Sequence, residues 1–407
     1  MKLSLLAITV VILIVGVAGF EIIKDKKSYI IKSKKYHRNA SQLRANRHRL
    51  SSSDIEQILP SEPFVTTIEL GTSEQVFTVS LETAFDALWL ADCERMWNTN
   101  PNVPAFNASD PNSSATDLGW GLVHTGIVWS VGERNYSDVV TLFEPTNQTF
   151  IKATGGGGAS FYLDYHNRNL SGAFGLSWDV NLKDEQVTNN SAPILNLFAA
   201  APQLPRFFVQ AVGKNPTEDY SWSVTSFGSE LNGICDQTVV TSAALSSTKR
   251  PYSSNFQVVA PEFRADSFSL GQTKVVGDWV VVDSSLPIII LPDDAFDVVY
   301  QLIQPDFSYD YLFYTTDCTN AGKLDDFVFN VNGVELRVPS TSYIYDVGLN
   351  DGQCALAIQL STYFTDIPYV LGTPIQYHYC IKFDIDNSEI SFQKYLPKVD
   401  EATTVAV

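Results

Sequence analysis

Several features that would mark a metal, nucleotide or membrane protein are missing from this chain. Its five cysteines, Cys93, Cys235, Cys318, Cys354 and Cys380, include no Cys-x-x-Cys spacing, which argues against a structural zinc module. No glycine-rich loop ends in Lys-Ser or Lys-Thr, so Gly155-Gly156-Gly157-Gly158 reads as a flexible turn and not as a phosphate loop. Beyond Gly19 no apolar stretch is long enough to span a bilayer. Segments of helical period are scarce: only Pro193 to Ala201 and Asp293 to Gln304 qualify, the second preceded by Pro292 and opening on paired acids. Acids are rare in one region. Between Lys24 and Arg49, Asp25 stands alone against Lys26, Lys27, Lys32, Lys34, Lys35, Arg38, Arg44 and Arg47.

What is present is apolar material in short pieces. The 407 residues are 45% hydrophobic and 18% charged, enough for a large core and too apolar for disorder. From Phe64 onward, runs such as Thr66-Thr67-Ile68-Glu69-Leu70 and Trp279-Val280-Val281-Val282 alternate with Gly, Pro, Asn and Ser punctuation, which predicts an all-β body with a few short helices. Met1 to Gly19 has a basic start, an apolar run from Leu3 to Val15 and a small-residue exit at Gly16-Val17-Ala18, the layout of a secretory signal cleaved near Ala18 or Gly19; a signal anchor is the alternative. Sequons at Asn39, Asn107, Asn112, Asn135, Asn147, Asn169 and Asn189 fit the secretory route. In that oxidising setting five cysteines imply two disulfides and one leftover thiol.

The net charge of −18 leaves the body acidic behind its basic arm, which disfavours nucleic acid and suits an acidic medium. The arm reads as a prosegment that pairs with the body, against the plainer alternative of a solvated tail. The expected layout is residues 1–19 signal, 20–60 prosegment-like, 61–225 a first β lobe, 226–397 a second and 398–407 a tail.

Internal similarity carries the functional information. Leu81-Glu82-Thr83-Ala84 is followed about ninety residues later by Ala173-Phe174-Gly175, and Val282-Asp283-Ser284-Ser285 at a similar interval by Val370-Leu371-Gly372. Two copies of one lobe would bring Glu82 and Asp283 face to face. Paired carboxylates held close cannot both ionise, so they share a proton; one activates a water while the other donates to a substrate carbonyl. The hydroxyls of Thr83 and Ser284 can tie the two loops together. The plainer reading is that Glu82 and Asp283 are polar residues satisfied at the lobe junction.

Thr67-Ile68-Glu69-Leu70-Gly71-Thr72, Phe77-Thr78-Val79, Leu88-Trp89-Leu90, Ser171-Gly172-Ala173-Phe174-Gly175-Leu176, Asp283-Ser284-Ser285, Val328-Phe329-Asn330-Val331-Asn332-Gly333-Val334 with Pro339 and Tyr343, Val370-Leu371-Gly372 and Cys380-Ile381-Lys382-Phe383-Asp384 occur in an order that resembles the pepsin-like aspartic proteases, across nearly all of Phe64 to Phe392. The resemblance implies the bilobal acid-protease fold with a central cleft, a peptide or protein ligand in that cleft, a secreted or acidic-lumen location, a monomer free of the membrane once the signal is removed, and no cofactor or metal. It implies disulfides Cys318–Cys354 and Cys235–Cys380, with Cys93 left over. Among the family's flap residues, His124 within Leu122-Val123-His124-Thr125-Gly126-Ile127 aligns with the flap tyrosine.

The chain departs from the family at the chemistry. Asp-Thr/Ser-Gly is expected in each lobe, but the motifs here are Glu82-Thr83-Ala84 and Asp283-Ser284-Ser285, and Gly372-Thr373 stands for Gly-Asp. Glu moves the carboxyl about 1 Å outward, a misplacement that can cost ~100-fold in rate. Ala84 and Ser285 add side chains where glycine leaves room for water and the facing acid. An inactive peptide-binding homologue is therefore favoured over an endopeptidase working through Glu82 and Asp283. A glycosidase has the right carboxylates and nothing further.

Overall fold

The computed structural model describes residues 18–25, 28–36, 64–71, 75–92, 104–110, 113–120, 124–125, 130–131, 134–153, 170–180, 192–214, 220–246, 250–253, 256–258, 260–308, 313–349, 352–360 and 369–396. The glycine run 155–158, Cys93 and the sequons at Asn39, Asn112, Asn169 and Asn189 lie outside them, as does the apolar start up to Val17.

The short alternating runs form strands. Val65–Leu70 buries Val65, Thr66, Ile68 and Leu70, and pairs antiparallel with Gln75–Glu82, whose last four residues are all buried. In the first half the sheet order runs Pro145–Ala153, Leu88–Ala91, Gly172–Gly175, Gln75–Glu82, Val65–Leu70, then Arg134–Thr141 and Thr116–Trp120. In the second half a five-stranded sheet runs Ile358–Leu360, Ile289–Leu291, Tyr369–Leu371, Trp279–Val282, Glu262–Arg264.

The first five strands of the first order correspond one by one to the five of the second, and so do the registers around the motif acids. Phe174 lies beside Leu81 in a parallel ladder and opposite Leu88 in an antiparallel one, while Leu371 lies beside Val282 and opposite Ile289. Leu81 and Val282 each precede the motif acid by one residue. Leu88 and Ile289 each stand six residues beyond it, so the two halves are copies of one lobe at the level of backbone pairing.

A third, seven-stranded sheet joins the halves, in the order Ala18–Asp25, Ser28–Tyr36, Tyr220–Phe227, Phe207–Lys214, Tyr379–Asp384, Glu389–Tyr395, Cys235–Ala244. Cys235 and Cys380 pair across it, and Cys318 and Cys354 pair within the second half. Helices are short: Pro193–Ala200, starting on its proline, Asp293–Ile303, with two acids in its first turn, and Thr373–Gln376. Among the described residues no helix is long and apolar enough to cross a membrane.

Candidate active site

Each motif acid is delivered by the end of a buried strand. Glu82 closes Gln75–Glu82, and Asp283 follows Trp279–Val282. The strand lying beside each ends in, or is followed at once by, a glycine that the geometry requires, Gly175 in the first half and Gly372 in the second. A Cβ on Gly175 would run into the carbonyl oxygen of Phe85 and the backbone of Ala87; one on Gly372 would run into the carbonyl oxygens of Leu286 and Ile288. Those are the third and fifth residues after each acid. Glycine at both sites lets the strand press against the turn that follows the carboxylate, which fixes the turn's path.

Four hydrogen bonds then lock the two turns to each other. Thr83 donates through its hydroxyl to the carbonyl oxygen of Val282 at 2.7 Å and accepts from the Ser284 N–H at 3.0 Å. Ser284 donates through its hydroxyl to the carbonyl oxygen of Leu81 at 3.1 Å and accepts from the Thr83 N–H at 3.3 Å. The tie expected of the two hydroxyls is present, and it is reciprocal. All four side chains of the two acid–hydroxyl pairs are buried, so Glu82 and Asp283 are brought to the same lobe junction on rigid backbone.

The surroundings of the two acids differ. Asp283 Oδ1 accepts from the Ser285 N–H at 2.9 Å and from the Ser285 hydroxyl at 2.6 Å. Burial raises the Asp283 carboxyl above its ordinary value of 3.8, and the two Ser285 bonds pull it part of the way back. Glu82 instead accepts from the Ser80 hydroxyl at 2.7 Å through Oε1, a partner two residues earlier on the same face of its own strand. Each acid thus holds a serine from its own half.

The two residues that stand for glycine also behave differently. Ala84 is buried with Ala260, Val281, Leu286, Ile290 and Val370, so its methyl is packed among side chains of the second half. Ser285 remains partly accessible and spends its hydroxyl on Asp283.

His124 sits in a two-residue ladder, His124–Thr125 against Ser130–Val131, beyond the hairpin formed by Thr116–Trp120 and Arg134–Thr141. The same hairpin carries a residue the sequence reading passed over. Trp120 ends its first strand 77% exposed, opposite Arg134, and Arg134 is tied to Asp117 at 2.7 Å. A Trp followed by glycine, Trp120-Gly121, was the available signal for an aromatic at this hairpin. Ser80 was missed as well, although its spacing of two from Glu82 on a strand places both on one face. So was the buried ion pair of Lys152 with Asp92, 3.1 Å apart just beyond Leu88–Ala91.

Among the described residues one cluster, Cys318, Asp346 and Cys354, is compact enough for a metal ion, but its cysteines are joined in a disulfide and offer no thiolate. Of the sequons, Asn147 is exposed, Asn107 is half-buried with its side chain accepting from the Ser109 N–H at 2.9 Å, and Asn135 has its Oδ1 enclosed.

Known proteins match this arrangement along most of its length. The family model for eukaryotic aspartyl protease matches residues 63–395. Aspartic protease 17 of Caenorhabditis elegans is 24% identical over 341 residues, covering 81% of this chain and 82% of its own. Bovine pepsin A is 24% identical over 381 residues, covering 90% and 92%, and human gastricsin 21% over 333, covering 80% and 79%. With two lobes of one topology, an acid at the end of a buried strand in each and their turns hydrogen-bonded to one another, the chain belongs to the eukaryotic aspartyl protease family, the pepsin-like aspartic peptidases.

Proposed function

We propose that this chain is a secreted glycoprotein that holds a peptide or protein in its cleft and has lost most or all of the family's hydrolytic power. One observation carries the reading: one carboxyl oxygen of each acid accepts from a serine of its own half, Glu82 Oε1 from Ser80 and Asp283 Oδ1 from Ser285, and the two serines lie on different sides of their acids. Proton sharing across a water needs two carboxyls presented equivalently to one point. Here one acid is a methylene longer and held from the strand side, while the other is held from the loop side by two donors. The leader-like start, the sequons and the two disulfides support export.

An acid endopeptidase working through Glu82 and Asp283 is the second reading. The reciprocal tie between Thr83 and Ser284 favours it, because that tie keeps both acids at the junction.

Cleavage of a denatured protein at acid pH separates the two, assayed with and without a transition-state-mimicking inhibitor. The binding reading expects inhibitable cleavage by the natural chain to lie at or below the detection limit and to rise at least ~100-fold above that limit once Glu82→Asp, Ala84→Gly and Ser285→Gly are combined. Inhibitable cleavage by the natural chain that disappears in Asp283→Ala would overturn it.

A further inference from the structure

The first part of the basic arm is built into the molecule. Ser28–Tyr36 pairs along its whole length with Tyr220–Phe227, from Tyr29 opposite Phe227 to Tyr36 opposite Tyr220. Ala18–Asp25 covers its other edge, so it is an interior strand of the sheet that joins the halves.

Its first part, Tyr29 to Ile31, is buried on both faces, and each face enters a different core. On one face the Tyr29 ring stacks on Phe143 with centroids 4.0 Å apart, and its hydroxyl donates to Glu144 Oε1 at 2.7 Å. Ile31, on the same face, belongs to the main core of the two lobes. On the opposite face Ile30 packs with Val209, Ala211, Val224 and the Cys235 and Cys380 side chains. Ser33 is hydrogen-bonded to Ser223 and accepts from the Val65 N–H, which joins the strand to the first residue of the first-half sheet.

Removing such a strand would open both cores unless another segment took its place. The stretch available to do so, residues 37–63, contains no aromatic residue, and its longest apolar run is Ile58-Leu59, followed at once by Pro60. It has nothing to fill the volumes of Tyr29, Ile30 and Ile31 in consecutive positions, and an empty core site is costly. The same stretch is rich in arginine, with Arg38, Arg44, Arg47 and Arg49 following the strand.

We propose that the strand Ser28–Tyr36 is a permanent part of the working protein. Processing cuts fall between His37 and Pro63, and the N-terminal piece stays seated in the sheet as a second chain, held by its ladder and its side chains. Only the arginine-rich stretch behaves as a removable linker. This goes beyond the cleft-binding reading and holds whether or not the centre cleaves anything.

The test uses the full chain secreted from a eukaryotic cell. It is held at acid pH, nicked with an arginine-specific protease, passed through gel filtration under native conditions, and the folded fraction is analysed by mass spectrometry and amide hydrogen exchange. The peptide containing Tyr29-Ile30-Ile31 is expected to travel with the body in equal amount and to leave only in denaturant. Its amides from Tyr29 to Ser33 should exchange as slowly as those of Phe207–Lys214. A folded fraction whose N terminus lies between His37 and Pro63, lacking that peptide and melting as cooperatively as the intact chain, would overturn the proposal. So would exchange at those amides as fast as in an unpaired chain.

Discussion

The two halves of this molecule hold one backbone and two chemistries. Around each acid the ladder registers are the same, a glycine backs the turn in the same way, and the hydroxyl of the next residue reaches across in the same manner. The carboxylates themselves are treated differently: Glu82 is held by a serine before it, Asp283 by a serine after it. The comparison teaches that the constraints on the scaffold and on the chemistry are separable. A misplaced strand here would open the junction between the halves, whereas a changed acid costs the fold little so long as its buried oxygens find donors.

The largest effects should fall on the shared part, and equally in both halves. Gly175→Ala and Gly372→Ala each force a methyl into backbone carbonyls that cannot move without displacing the turn after the acid. A loss of about 3 kcal/mol or more is expected for each, read by denaturant unfolding. If one is tolerated and the other not, the halves are less alike than their registers say. Next come the ties between the turns. Thr83→Ala and Ser284→Ala each leave a buried carbonyl and a buried N–H without a partner, for an expected loss of about 2 to 4 kcal/mol. Because the four bonds close on each other, the double variant should lose clearly less than the two singles added together. Full additivity would mean that the two turns are held independently.

Much of the scaffold was legible in the sequence because it rests on periodicity. The run Leu81-Glu82-Thr83-Ala84 and its partner Val282-Asp283-Ser284-Ser285, each with a distant apolar-apolar-glycine, marked the repeated lobe, and both helices begin where their proline and acids indicated. The pairings Cys235 with Cys380 and Cys318 with Cys354 came from resemblance alone, since spacing leaves connectivity open. The engagement of Ser80 and Ser285 was not read, because a serine near an acid is common and only three-dimensional placement shows which oxygen it serves. The depth of Ser28–Tyr36 escaped for a related reason: lysines at 32, 34 and 35 suggest pairing with the acidic body through charge, while Tyr29-Ile30-Ile31 within the segment is core. Charge density misleads where a short apolar run sits inside it.

The smallest predicted effect is the most diagnostic of the difference between the halves. Burial raises the Asp283 carboxyl above 3.8, so the folded protein holds that proton more tightly than the unfolded chain does. Below 3.8 both states are protonated and the residue adds nothing to the pH dependence. As pH rises from there through the raised folded value, the unfolded chain ionises first, and the native state loses stability relative to it. Asp283→Asn removes the titration while keeping an oxygen for the Ser285 donors, so thermal melts of the variant and the natural chain should coincide at the acid end and separate toward neutrality, with the variant the more stable. The two Ser285 bonds, which favour the ionised form, narrow the gap that burial opens. Adding Ser285→Ala removes the hydroxyl's share of that compensation. Measured against a natural Asp283 background, this change should widen the loss of stability toward neutral pH. A single Ser285→Ala whose melts show the same pH dependence as the natural chain would mean that the serine does not tune this acid, and the asymmetry between the halves would then reduce to the length of Glu82.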